Sequence, residues 1–577
     1  MCYCGIDVQN RILRMSNYSL FETSKYIVAS IVTGIILGLI GAITANLFRH
    51  GISWINSLEV SVLGKLPPFY FYIITLSISA FLVHIIRKNL NSEPFHGVAD
   101  SIYFAHKSGD NISIRAGFLS TLAAFVSASG GASVGQYGPL VHFGATFGAL
   151  LKKTLPFKFN SDLYIGAGVA ASISAGFGAP VAGLLFAHEV ILRHYSHKSL
   201  LAIATAAGVA YAMSEHIWNN PMVFGFPDYQ FQLIEIISIS LIAGPFYGIV
   251  AISYMGSLFT FSKLAQKIKL ETVNKTIIGI LSLSLIGVYF PSAMGLGTQT
   301  VIDIFNNSYG TLFLILILLV KIIATSISLN FGFFGGIFSP ALLVGASAGA
   351  IVSSLLVDIG TISNFEYALV ICGMSAVAGP VIGAPITMII LVIELTGSYV
   401  YGLSSLVGLA VAIGFTHTRY GASYFDLQLL KRGIDIAEGR MGLYLQETAV
   451  ISFAKQNFEK VALLGNVGEA QTLMSKNQTS ELVVVDEDKR FVGKVDAAAL
   501  IGINSEMSLE PYVDKACTVI YHDASLKAAM EIASDFVGEL IPIVDANSGF
   551  VIGVISENAL FEAYLNEQQK VLEMEKK

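Results

Sequence analysis

Gly130-Gly131-Ala132-Ser133-Val134-Gly135-Gln136-Tyr137-Gly138-Pro139, continued by Leu140-Val141-His142-Phe143-Gly144-Ala145, decides how this chain folds. The stretch lies in an apolar region but carries too much glycine for an uninterrupted membrane helix. Glycine lets the backbone bend and exposes its N–H groups. Pro139 suits the first turn of a new helix, where a missing donor costs nothing. The reading is a helix that starts in mid-membrane with free amides aimed at a cavity. Such an end carries partial positive charge and holds an anion without a basic side chain. Lipid offers those amides no partner, so this backbone is expected to be buried in protein or to line a water-filled path. Tyr137 stands at that threshold.

The surrounding composition agrees. Of 577 residues, 54% are hydrophobic and 13% charged, against about a quarter charged in a soluble domain. Most of the chain is therefore expected in lipid. A net charge of −6 gives no case for a nucleic-acid partner. Residues 1–25 read as a polar N-terminal segment, and the first apolar run, 26–48, is too long for the core of a signal peptide. Arg11, Arg14 and Lys25 before that run favour a cytoplasmic N-terminus. Cys2 and Cys4 have no downstream Cys/His partners, so neither a metal site nor a disulfide framework is implied. After Pro67-Pro68 a second run covers 69–86, and Phe95 to Asp100 form a polar break. The runs 116–151 and 163–192 are broken by Gly and Pro into pieces shorter than the roughly 20 residues of a straight span. Further runs follow at 200–214, 233–261, 277–289, 312–329, 340–356, 368–393 and 403–415. Lys263, Lys267 and Lys269 read as a solvated basic connector between two halves.

The halves repeat. Gly135-x-x-x-Pro139-x-x-x-x-Gly144-Ala145-x-x-Gly148-Ala149 recurs as Gly336-x-x-x-Pro340-x-x-x-x-Gly345-Ala346-x-x-Gly349-Ala350. Gly178-Ala179-Pro180 with Glu189 recurs as Gly383-Ala384-Pro385 with Glu394. Matching Gly/Pro-broken segments in two membrane halves point to an ion site at the repeat interface. Beyond about residue 440 the chain turns mixed and charged. Strands are expected at 481–485, 491–495, 540–544 and 550–555, with helices starting at Ala497 and Glu557. That is one β–turn–β–α unit used twice. Nothing resembles a nucleophile–base pair, a metal cluster or a phosphate loop, so no enzyme, metal or cofactor is expected.

With these residues in view, the chain resembles the CLC family of chloride channels and chloride/proton exchangers, followed by tandem CBS modules. Gly135-Gln136-Tyr137-Gly138-Pro139 resembles the family's GREGP, and Gly336-Ile337-Phe338-Ser339-Pro340 its GxFxP. Gly178 to Glu189 and Ala384 to Gly397 match further segments, and Ser423-Tyr424 looks like the segment holding the pore tyrosine. The resemblance implies an all-α multi-span membrane domain of two inverted repeats of tilted, broken helices (26–435), then a cytoplasmic α+β tandem CBS domain (440–566, modules 440–505 and 510–566) and a tail (567–577). It implies a homodimer in a cell membrane, inner or plasma, with both termini cytoplasmic and one inorganic-anion pathway per subunit. Along that pathway it places His96, Gly97, Val98, Gly135, Gln136, Tyr137 and Gly138, the backbone amides of Ile337 and Phe338, and the Tyr424 hydroxyl. Amide dipoles and one phenol hold an anion weakly enough to release it.

Departures from the family set the expected mechanism. Tyr137 stands where the family has its gating glutamate, and Val190 where exchangers have an internal proton-carrying glutamate. A phenol of pKa about 10 stays protonated at neutral pH, so Tyr137 occludes the path or donates a hydrogen bond but carries no proton. Glu189 and Glu394, matched by the repeat, are expected to be structural carboxylates at helix ends. His96 replaces a serine, and either bonds the backbone at the mouth or, once protonated, makes conduction pH-sensitive. His142 and His188 read as packed helix residues. In the CBS pair, Gly493-x-x-Asp496-x-x-Ala499 and Gly553-x-x-Ser556-x-x-Ala559 put alanine where the family's ribose-binding aspartates stand, which argues against a bound nucleotide. The resulting expectation is a passive chloride channel uncoupled from protons. The alternatives are an exchanger with another proton route, such as Glu189 or His96, and a CBS-based sensor or scaffold whose pore is closed.

Overall fold

The computed structural model describes residues 20–90, 93–107, 112–157, 159–195, 197–218, 232–358 and 365–576. Cys2, Cys4, Arg11, Arg14 and nearly all of the 1–25 segment lie outside them. Two compact units are present, Met1–Lys431 and Arg432–Lys577.

Among the described residues, the regular elements of the first unit are all helices. Its elements are α1 (Leu20–Leu63), α2 (Pro68–Lys88), α3 (Val98–His106), α4 (Ile114–Ser129), α5 (Tyr137–Thr154), α6 (Ser161–Phe177), α7 (Pro180–Phe186) and α8 (His197–Trp218). Then come α9 (Leu233–Lys267), α10 (Thr272–Tyr289), α11 (Thr298–Phe305), α12 (Thr311–Asn330), α13 (Phe338–Asp358), α14 (Glu366–Ile382), α15 (Pro385–Thr396), α16 (Tyr399–Tyr420) and α17 (Tyr424–Leu430). Among the described residues, eight helices are long and apolar enough to cross a membrane. Ile114–Ser129, Pro180–Leu192, Glu366–Ile382 and Pro385–Thr396 are apolar but shorter, the broken pieces expected from the Gly/Pro pattern.

The repeat is a structural one. In the first half α1 packs on α6 and α8, and α5 on α6; in the second, α9 packs on α14 and α16, and α13 on α14. α6 and α14 end alike. Gly178 (φ 69°) and Gly383 (φ 79°) are left-handed C-caps, each followed by a non-helical Ala and a Pro that opens the next helix. Positive φ admits glycine readily there, and proline fits the first helical turn.

Three expectations need correction. The first helix does not stop near Phe48 but runs to Leu63, because Arg49, His50 and Gly51 interrupt the apolar surface without breaking the backbone ladder. The lysines do not join the halves. Lys263 and Lys267 sit in the last turns of α9, with Lys269 in the short link to α10, and α9 is the repeat partner of α1. A helix that ends in charged residues reads as a connector until its packing is known. In the second unit no helix starts at Ala497, where a 3-10 turn covers Ala497–Leu500, opened by Asp496 accepting from the Ala498 amide (2.8 Å).

That second unit holds α18 (Gly439–Glu447) and two three-stranded sheets. β1 (Lys460–Ala462), α19 (Val467–Asn477), β2 (Glu481–Val485) and β3 (Phe491–Asp496) form one; β4 (Ile520–Tyr521), α20 (Leu526–Ala533), β5 (Ile541–Val544) and β6 (Val551–Ile555) form the other. In each, the first strand pairs parallel to the second and the second antiparallel to the third. The short parallel strands and the helices after them escaped the sequence reading, since two or three residues carry no periodicity. α21 (Glu557–Lys576) runs through residue 567 without a break. Lys494 donates to Glu481 (2.7 Å) and to the Leu540 carbonyl (3.0 Å), and the Leu540 amide returns to Glu481 (2.9 Å). This buried pair ties the two sheets together.

Candidate functional site

The two Gly-x-x-x-Pro turns meet. The Gly135 amide donates to the Gly336 carbonyl (2.7 Å) and the Gly336 amide to the Gly135 carbonyl (2.8 Å). A Cβ on Gly135 would lie 3.0 Å from the Gly336 oxygen and the Ser339 nitrogen, and one on Gly336 would lie 3.0 Å from the Gly138 nitrogen. A side chain at either position would press the two backbones apart by a few tenths of an ångström. The exchange brings the starts of α5 and α13 together, and the first-turn amides of both have no intrahelical acceptor. Gln136 is the N-cap of α5, Tyr137 its first residue, and Phe338 the first residue of α13. The sequence pattern announced each turn; their reciprocal pairing it did not.

Four rings fill the space where these starts meet α6 and α7. Tyr137 stacks on Phe177 (centroids 3.6 Å, interplanar 19°) and meets Phe338 edge-on (5.6 Å). Phe338 lies 5.1 Å from Phe177 and 6.4 Å from Phe186. Tyr137 is only 6% exposed. Arg49, from the middle of α1, donates to the carbonyls of Gly176 and Ala175, so a guanidinium sits at the end of α6. A Cβ on Gly176 would stand 3.3 Å from the Tyr137 ring. An arginine inside an apolar run is the signal that marked it, and the sequence reading passed over it.

Tyr254 of α9 is another residue that reading missed. Wholly buried, it donates to the Ile337 carbonyl (3.1 Å) and so orients the peptide that presents the Phe338 amide. The Tyr424 hydroxyl accepts from Gln428 Nε2 (3.2 Å), and its ring stacks on Phe259, 5.0 Å away, on the same helix as Tyr254. Ser423 caps α17 through Asp426, whose carboxylate accepts from the Ser423 hydroxyl at 2.8 Å. Asp426 also pairs with Arg193, just after the π-helical turn Ala187–Leu192 that contains Val190. Ser423→Ala is expected to cost about 1 kcal/mol as a lost cap, read as a lowered Tm of purified protein. An unchanged Tm would deny the cap any part in holding Tyr424.

His96, Gly97 and Val98 lead into α3, close to Gly138: a Cβ on Gly138 would lie 3.5 Å from a Val98 methyl. The His96 amide donates to Ser120 (2.9 Å) and the Gly97 amide to Asp100 (2.7 Å), so both amides are used inside the protein. Val190 is buried and apolar, its carbonyl facing Arg193 Nε at 3.5 Å.

Glu189 and Glu394 cross between the halves. Glu394 accepts from the amides of Val181 (2.9 Å) and Ala182 (2.8 Å) at the start of α7. Glu189 accepts from the amides of Ile386 (2.8 Å) and Thr387 (2.7 Å) and from the Thr387 hydroxyl (2.6 Å) at the start of α15. Each half therefore caps a helix of the other. Lys321 of α12, fully buried, donates to the carbonyls of Ala293 (3.0 Å) and Gly295 (2.8 Å). The Gly295 amide reaches the Gly131 carbonyl (3.0 Å), and Ser133 donates to Ala293 (3.1 Å), which fixes the turn leading into Gly135. Among the described residues no group of three His, Cys, Asp or Glu has metal-binding geometry.

The profile of the voltage gated chloride channel family matches residues 78–417. An uncharacterized protein of Methanocaldococcus jannaschii is 26% identical over 328 residues, 56% of this chain and 79% of that protein. The H(+)/Cl(-) exchange transporter ClcA of Vibrio parahaemolyticus is 27% identical over 281 residues, 47% of this chain and 60% of the exchanger. The chain thus spans less than two thirds of the exchanger's length. Among solved structures, a CLC-type fluoride/proton antiporter matches with a TM-score of 0.59 at 21% identity, over 71% of this chain and 99% of its own. A eukaryotic CLC transporter matches with a TM-score of 0.59 at 15% identity, over 92% of this chain and 98% of its own. At these identities the structural likeness is one of fold.

Proposed function

Because this chain belongs to the voltage-gated chloride channel family, we propose that it is a membrane-embedded anion transporter of the passive kind, a chloride channel uncoupled from protons. One observation carries the reading: the residue at the head of α5, packed against Phe177 and Phe338, is Tyr137, a phenol and not a carboxylate. A phenol stays neutral at physiological pH, so it neither competes with an anion by charge nor shuttles a proton. Val190 adds an apolar, buried side chain where a second proton carrier would be needed. In this reading the amides of Ile337 and Phe338 and the hydroxyl of Tyr424 hold the anion, the Tyr137 ring gates it, and two subunits form a homodimer in the cell membrane.

The three donors taken by the Glu189 oxygens support a structural role for it over a proton route. Simultaneous recording of anion efflux and proton flux from proteoliposomes tests the proposal. Anion efflux with no proton movement against a gradient is expected. Protons driven uphill by a chloride gradient would refute it. The closed-scaffold reading has an observation of its own, the tight four-ring cluster, and it predicts no efflux from the native protein.

A further inference from the structure

His142 lies one and a half turns into α5 and is 1% exposed. Its ring stands against that of His96, with centroids 5.7 Å apart and planes at 87°. Its Nδ1 lies 2.8 Å from the Ser101 hydroxyl, which itself donates to the Gly97 carbonyl (3.4 Å). That contact engages one ring nitrogen and leaves the other, Nε2, to find its own partner. Among the described residues that Nε2 has no hydrogen-bond partner, and neither has Nδ1 of His96. Two unpartnered ring nitrogens thus occur in one pair of histidines, at the head of α3 and beside Gly138. A buried polar atom without a protein partner needs one from elsewhere.

We propose that His96 and His142 form a paired imidazole site that takes up a proton and then binds a monatomic anion, so that acid strengthens anion binding by this chain. The proposal deepens the anion-pathway reading and rests on it. Protonation makes both His142 ring nitrogens donors, and among the described residues Nε2 has no acceptor. A halide supplies one. Charge works in the same direction. Asp100, bonded to the Gly97 amide, gives the head of α3 a negative charge while both rings are neutral. Each proton gained moves the site by one charge, from repelling an anion towards holding it.

Asp100 and His96 both act by charge on His142, and α1, packed on α5, brings Arg49, which donates to the Gly176 carbonyl. Elements packed on α3 bring others, already engaged. α6 brings Asp162, which faces His194 at 3.4 Å. The 187–192 turn brings His188, bonded to the Leu184 carbonyl, and Glu189, which caps α15. Arg193 after that turn and Asp426 of α17 pair with one another. On α3 itself, His106 Nδ1 bonds the Ile102 carbonyl.

Chloride binding to the purified full-length protein, measured by calorimetry at pH 7.5 and pH 5.0, tests the site. The native protein is expected to bind at least about fivefold more tightly at pH 5.0, since binding that takes up a proton strengthens as the pH falls. His142→Gln, which offers a donor that does not titrate, should reduce the difference to within about twofold. His96→Gln, at a partly exposed position, should do the same and keeps the test decisive if the buried variant fails to fold. Equal affinity at the two pH values in the native protein, or an unaltered pH dependence in the variants that fold, would overturn the proposal. Efflux from liposomes judges conduction separately. Absent efflux sinks the channel reading, whereas pH-independent binding sinks the histidine site alone.

Discussion

Tyr137→Ala is expected to raise anion efflux about tenfold or more over the native protein. The ring is held by a stacked partner, Phe177, and an edge-on partner, Phe338. Such pairs contribute about 0.5–1.5 kcal/mol each beyond burial. Swinging the ring aside therefore costs about 1–3 kcal/mol, a factor of roughly 5–150 in the population of a cleared path. Alanine removes that barrier. Tyr137→Phe keeps both ring contacts and loses only the hydroxyl, so efflux should stay within about twofold of native. Tyr137→Glu should restore a titratable group and make efflux fall at neutral pH and recover in acid, because an ionised carboxylate competes with the anion and a protonated one does not. Radiotracer or electrode efflux from liposomes reads all three. If the alanine variant conducts no faster than the native protein, Tyr137 is not the gate.

Removing either crossed carboxylate should unfold the membrane unit at a markedly lower temperature. Glu394→Ala strips two amides at the head of α7 of their acceptor, and Glu189→Ala strips two amides and a hydroxyl at the head of α15. Hydrogen bonds to a charged acceptor contribute about 1.5–3 kcal/mol each. Part of each site is exposed, which lowers the yield, so a loss of about 2–4 kcal/mol per variant is expected. Glutamine substitutions should lie between native and alanine, since an amide has one acceptor oxygen in place of two. The double variant should fall short of the sum, because both caps hold the same packing of α7 against α15. A thermal melt of the purified variants measures this. Native stability in Glu189→Gln together with abolished proton flux would instead assign Glu189 a transport role.

Much of this was legible before any coordinates. The Gly/Pro punctuation sets where backbone ladders stop, and it acts within a few residues. Hence the starts at Tyr137, Phe338, Pro180 and Pro385, the short broken helices and the twofold repeat could all be read along the chain. The crossed glutamates were legible as a matched pair at helix ends, though not as caps exchanged between halves. Helix α1 was cut short and the last turns of α9 were read as a connector because charged residues within an apolar helix look like its end.

Other features exist only through contacts between residues far apart in the chain. Gly135 meets Gly336, Arg49 reaches the end of α6, Tyr254 orients the Ile337 peptide, and Lys321 pins the turn before Gly135. None of these leaves a periodic trace, since each depends on which helix faces come together. His142 shows the difference most plainly. As a letter in an apolar helix it read as packing, and the fold set its ring edge-on to that of His96 with one nitrogen unpartnered among the described residues. By itself, then, the sequence determined the breaks, the repeat and the phenol at the head of α5, all local chemistry. Tertiary structure alone decided which turn closes on which and which buried polar atoms lack a partner, because hydrogen-bond satisfaction is settled by neighbours in space.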